Sequence, residues 1–120
     1  MMDVTTRTQG TMMIASVNAA RIDAAAAVQF RDVMQAATAD APSRVVLDLA
    51  QVTFLDSSGL GAVIGTMKRI APDRRLELAA LNPAVAKVFR LTCLDTIFVI
   101  HESADAALAS EVPDGRAHAC

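Results

Sequence analysis

The sequence predicts an α/β domain built on a partly parallel sheet, and three observations lead there. Short runs of apolar and β-branched residues alternate with stretches of helical periodicity. Pro, Gly, Asn or Asp stands at most junctions between them. The chain has 120 residues, 53% of them hydrophobic, which is enough for one core and too little for two domains.

The elements follow in order. Residues 11–17 (TMMIASV) have strand length and composition, and residues 3–9 pair with them as a hairpin around Gly10. Asp23 is an N-cap before an alanine-rich helix whose Ala27, Phe30, Val33, Met34 and Ala37 share one face, and Pro42 bounds it. Val45 to Leu49 read as a strand buried on both faces. This strand is expected to run on to Thr53 or Phe54. The next helix begins at Ser57 or Ser58, buries Leu60, Val63, Ile64, Met67 and Ile70, and stops at Pro72. Residues 75–81 form a strand. Asn82 and Pro83 open a short helix, residues 96–100 (TIFVI) form a strand, and Ser103 caps a last helix. The domain is expected over residues 1–110, with a disordered tail over 111–120.

Composition excludes several function classes. Aromatic residues are 3% of the chain and net charge is −2, so neither base-stacking platforms nor an electrostatic attraction to nucleic acid is expected. The apolar runs are too short to span a bilayer, the N-terminus lacks a signal-peptide pattern, and a cytoplasmic location is the expectation. Cys93 and Cys120 do not form a metal-ligand pair and read as free thiols. No metal or cofactor is expected.

The stretch FLDSSGLG, residues 54–61, carries the functional signal. It lies at a strand-to-helix turn, where functional groups of open α/β sheets gather and where a helix offers free N–H groups. Asp56 or Ser57 serves as the helix cap, with the oxygen of Ser57 expected to be engaged there. A nucleophile elbow needs Gly-x-Ser-x-Gly, which Asp-Ser-Ser-Gly-Leu-Gly does not supply. His101 and His118 have no marked carboxylate partner, so a hydrolase is not expected, and the protein reads as a non-enzyme. A phosphate-binding loop is equally ill-matched, because Lys68 and Arg69 come at the far end of the helix. There remains an exposed serine modified by a kinase. Counting 100° per residue from Ser58 gives a strip of Gly61, Ala62, Gly65 and Arg69. The two glycines serve either close approach by a partner or packing against a neighbouring element.

VVLDLAQVTFLDSSGLGAVIGTMKRI, residues 45–70, closely resembles the signature of the STAS domain family, the anti-sigma factor antagonists, with looser similarity over about residues 5–109. The resemblance implies a mixed four- to five-stranded sheet with helices mainly on one side. It implies an unphosphorylated form that binds an anti-sigma factor, a serine kinase with a histidine-kinase-like ATPase fold, and so frees a sigma factor. Phosphorylation at Ser58, with Ser57 the secondary candidate, ends binding, and a PP2C-like phosphatase restores it. Asp56 and Ser57 correspond to residues shaping the loop, and Asp23 to an acid near it. The partner surface so expected comprises Asp23, Asp56, Ser57, Ser58, Gly61, Ala62, Gly65 and Arg69. STAS proteins also serve as small subunits docked on the ATPase of lipid-transporting ABC systems, which is the alternative. The chain departs from the family at Asn18–Ala19–Ala20, where a glycine is usual, and at Cys93, where a glycine is common.

Overall fold

The computed structural model describes residues 2–70 and 74–110. The hairpin forms as expected. β1 (Val4–Gln9) pairs antiparallel with β2 (Met12–Val17), and the turn passes through Gly10 at φ +61°, a conformation glycine adopts without strain. β2 then pairs in parallel with β4 (Arg44–Asp48), β4 with β6 (Arg75–Ala79), and β6 with β7 (Ile100–His101), giving the sheet order β1-β2-β4-β6-β7. A separate pair, β3 (Arg21–Ile22) and β5 (Phe54–Leu55), runs parallel outside that sheet.

Strand alternation sends residues to two cores. Ala15, Val17, Val45, Leu47 and Leu78 pack with Phe30 and Met34 of α1 (Ala24–Ala37), Val63 and Ile70 of α2 (Ser57–Ile70), and Val85 and Phe89 of α3 (Pro83–Leu91). Met12, Ile14, Val46 and Ala79 point to the other face, where Ala107 of the short α4 (Ala104–Ser110) covers them. Among the described residues the sheet is thus mixed, with three helices on one side and one on the other.

Four expectations need correction. The central strand ends at Asp48, not at Thr53 or Phe54. Its carboxylate accepts the Ala50 N–H at 3.0 Å and turns the chain out of the sheet, so Phe54 and Leu55 join β3 instead. Residues 96–100 are not a strand. Cys93 takes the left-handed conformation (φ +61°), a 3-10 turn covers Leu94–Thr96, and Phe98 packs edge-on against Phe89 with centroids 5.8 Å apart, leaving Ile100 and His101 to pair. The buried face of α2 is rotated. Gly59, Ala62, Val63, Thr66 and Ile70 are buried, while Leu60, Ile64 and Met67 are half-buried, because α2 is pressed against α1 as well as the sheet. Asn82 occupies the cap position of α3 but makes no cap bond; its amide donates to the carbonyls of Ala50 and Val52, at 2.9 and 2.7 Å. The expected stop at Pro72 and the expected tail over 111–120 lie outside the described residues, as do His118 and Cys120.

Candidate functional site

Two helix N-termini meet at one end of the molecule, and a single carboxylate joins them. Asp56 is the cap of α2. Its Oδ1 accepts the Gly59 N–H at 2.9 Å, and its backbone carbonyl accepts that of Leu60 at 2.8 Å. Its other oxygen, Oδ2, accepts the Ala24 N–H at the start of α1, at 3.2 Å. Asp23 caps α1 by accepting the Ala26 N–H at 3.1 Å. That bond holds the Asp23 carboxyl below its ordinary range; slight desolvation opposes it and the nearby Arg21 guanidinium, 3.4 Å away, adds to it. Arg21 lies over the half-exposed Phe54 ring at 4.2 Å, so the ring's negative face is screened by a cation.

Gly59 explains how the two ends come so close. A side chain there would collide with the Ile22 carbonyl, so β3 can lie against the first turn of α2 only if residue 59 is glycine. The turn before α1 needs no such residue. Among the described residues only Ala80 and Cys93 are non-glycines at positive φ, so Ala19 and Ala20 fit the ordinary regions. Asn18 anchors that turn by donating to Asp3 and Thr5 and accepting from Gln51, and the Ala20 carbonyl accepts from Thr53 and Phe54.

Ser57 and Ser58 stand exposed in the first turn of α2. With Asp56 as cap, the Ser57 oxygen is not engaged. Neither hydroxyl has a hydrogen-bond partner among the described residues, which corrects the expectation of an occupied Ser57. The strip beyond them is narrower than expected. Gly61 is exposed with open space around it, and Gly65 is half-buried beside the Arg31 side chain of α1. Ala62 is 2% exposed and belongs to the core, so it is removed from the surface strip. Arg69 is exposed, with its guanidinium donating to Gln35 at 3.1 Å.

A second polar cluster went unnoticed in the sequence. Glu77 lies in β6, 1% exposed, and accepts from Arg44 Nε and Nη2 (2.8 and 2.6 Å), from Arg75 (3.0 Å), and contacts His101 Nε2 (2.7 Å). Desolvation raises its pKa, but the Arg44 and His101 hydrogen bonds and the two guanidinium charges outweigh that and hold the carboxyl below its ordinary value. His101 therefore does have a carboxylate partner. No group of three or more potential ligands among the described residues is arranged to hold a metal, and no helix there is long and apolar enough to cross a membrane.

Comparison with known proteins gives consistent results. The model of the family described as STAS domain matches residues 3–107. A Staphylococcus epidermidis protein named anti-sigma-B factor antagonist is 29% identical over 62 residues, covering 51% of this chain and 57% of that protein, so under two thirds of the relative's length is spanned. The crystal structure of an anti-sigma factor antagonist from Mycobacterium paratuberculosis superposes with a TM-score of 0.80 at 27% identity, over 92% of this chain and 93% of that one. The Bacillus cell fate determinant SpoIIAA in its phosphorylated form shares the fold, with a TM-score of 0.65 at 22% identity over 89% and 97%.

Proposed function

The chain belongs to the STAS domain family, and we propose that it acts as an anti-sigma factor antagonist switched by phosphorylation of Ser58. The observation that carries this reading is the pair of unpartnered, exposed hydroxyls on the first turn of α2, beside a cap that Asp56 already fills. A kinase can reach such a hydroxyl without breaking a hydrogen bond of the fold. Both serines meet that condition, so the choice of Ser58 rests on its place in the family's Asp-Ser-Ser-Gly signature and at the head of the Gly61–Gly65 strip.

In the unphosphorylated state the partner, an anti-sigma factor with serine-kinase activity, lies along Ser58, Gly61 and Gly65, with Asp23, Asp56, Ser57 and Arg69 at its border. Gly61 presents no side chain there, so a partner backbone can come close. A phosphate adds about 1.5 to 2 negative charges. The N–H groups of the first turn and the positive end of the helix accommodate it, so the fold persists. The partner, fitted to a neutral hydroxyl, is repelled, and a PP2C-like phosphatase resets the cycle.

The test is to incubate the protein with its cognate anti-sigma kinase and ATP and to map the product by mass spectrometry. Phosphate on Ser58, with loss of the complex, is expected. Phosphate mainly on Ser57 overturns the assignment, and an unmodified protein that stays bound overturns the switch.

A further inference from the structure

The crossover from β6 through α3 to β7 borders a wide-open surface cavity of about 390 Å³, lined on its apolar side by Leu81, Ala86 and Ile100. Arg90 of α3, Asp95 of the 3-10 turn and Glu102 just after β7 complete the wall, and none of the three forms an ion pair among the described residues. His101 also lines it. Its side chain is 10% exposed and gripped from within the sheet by Glu77, at 2.7 Å from Nε2. Glu77 accepts from two guanidiniums and is ionised, so the proton of that bond sits on Nε2. The ring's Nδ1 has no hydrogen-bond partner among the described residues. The cavity lies where the parallel strands β6 and β7 end, a usual ligand position in open α/β sheets. Among the described residues, the two non-glycines at positive φ stand near lining residues in the chain. Ala80 precedes Leu81, and Cys93 opens the turn that carries Asp95.

We propose that this cavity binds a small zwitterion, an α-amino acid with an aliphatic side chain. Arg90 pairs with the ligand carboxylate. Asp95 and Glu102 receive its ammonium group, and Leu81, Ala86 and Ile100 cover its side chain. A carboxylic acid alone would face two carboxylates, and an amine alone would leave Arg90 unpaired; a ligand with both charges satisfies all three groups. The site shares no residue with the Ser58 end and stands or falls independently of the switch.

The test is an NMR titration of the full-length 15N-labelled protein with L-leucine, isopentylamine and 4-methylpentanoate. Leucine is expected to shift the amides of Leu81, Arg90, Asp95, His101 and Glu102 saturably, with each half-ligand binding at least about tenfold more weakly. Arg90→Gln and Glu102→Gln, both at exposed side chains, should each weaken leucine by about tenfold, while the rest of the spectrum shows the fold intact. The proposal is overturned by the absence of saturable shifts up to leucine's solubility limit. It is equally overturned if either half-ligand binds as tightly as leucine, or if both variants bind leucine unchanged.

Discussion

The Asp23–Asp56 end and the Glu77 cluster both gather charged side chains, but they use them differently. Asp23 and Asp56 face backbone N–H groups at a half-exposed helix junction, and the serines beside them keep their hydroxyls unengaged. Glu77 is buried, surrounded by three cationic or protonatable groups, and ties β4, β6 and β7 together; Arg44 extends the link to Ser110 of α4 at 3.2 Å. The first arrangement leaves polar groups available, so a charge can be added without dismantling the fold. The second has no spare capacity, and a loss there strands a charge in the interior. The proposed function sits where the polar groups are accessible, and stability depends on those that are not.

Substitutions should separate the two regions most strongly at Glu77. Glu77→Ala leaves Arg44 buried without its partner and should cost about 3–5 kcal/mol, read by urea unfolding. A loss under about 1 kcal/mol would mean that the cluster is no more than a surface ion pair. The same residue sets a pH dependence. Because its folded pKa is lowered, its contribution is complete above the ordinary carboxylate range and is lost as pH falls through the lower folded value. Glu77→Gln should therefore flatten the acid limb of stability against pH, and an unchanged limb would assign it to other carboxylates.

At the junction the expected effects are smaller. Gly59→Ala forces a methyl group into the Ile22 carbonyl and should cost about 2–3 kcal/mol by thermal or urea unfolding. Asp56→Ala removes a cap that serves two helices and should cost about 1–2 kcal/mol. An effect of Asp56→Ala as large as that of Glu77→Ala would erase the distinction between the regions. At Gly65 an added Cβ meets only the flexible Arg31 side chain and leucine improves helix propensity, so in Gly65→Leu stability should hold or rise by up to about 1 kcal/mol while partner binding weakens. An unfolded Gly65→Leu protein would show that this strip packs internally.

Much of the junction could be read from sequence because its chemistry is local. Asp23 precedes an alanine-rich helix, Asp56 stands three residues before Gly59, and caps act over that distance. Ser103 was legible for the same reason, and its Oγ accepts the Ala106 N–H at 3.0 Å. What escaped was long-range. Nothing near Asp56 announces that its second oxygen reaches Ala24, 32 residues away. No local pattern marks Glu77 in LEL and Arg44 before VVL as partners, and only the β4–β6 register and the cover of α4 make them a buried pair. Ala62 was misplaced because helical periodicity gives the spacing of a face but not its rotation against a second helix.

The switch proposed for Ser58 requires that an added charge change binding and not folding. It is tested most directly by titrating the cognate anti-sigma factor, by calorimetry, with unmodified and Ser58-phosphorylated protein, alongside their melting temperatures. One partner carboxylate at ~8 Å and an effective dielectric of ~40 repels a doubly charged phosphate by about 2 kcal/mol. Binding should then weaken by about thirtyfold or more, with the single charge of Ser58→Asp giving about fivefold and all three proteins melting at similar temperatures. Equal affinity for the phosphorylated and unmodified forms, or loss of binding only with loss of the fold, would contradict the claim.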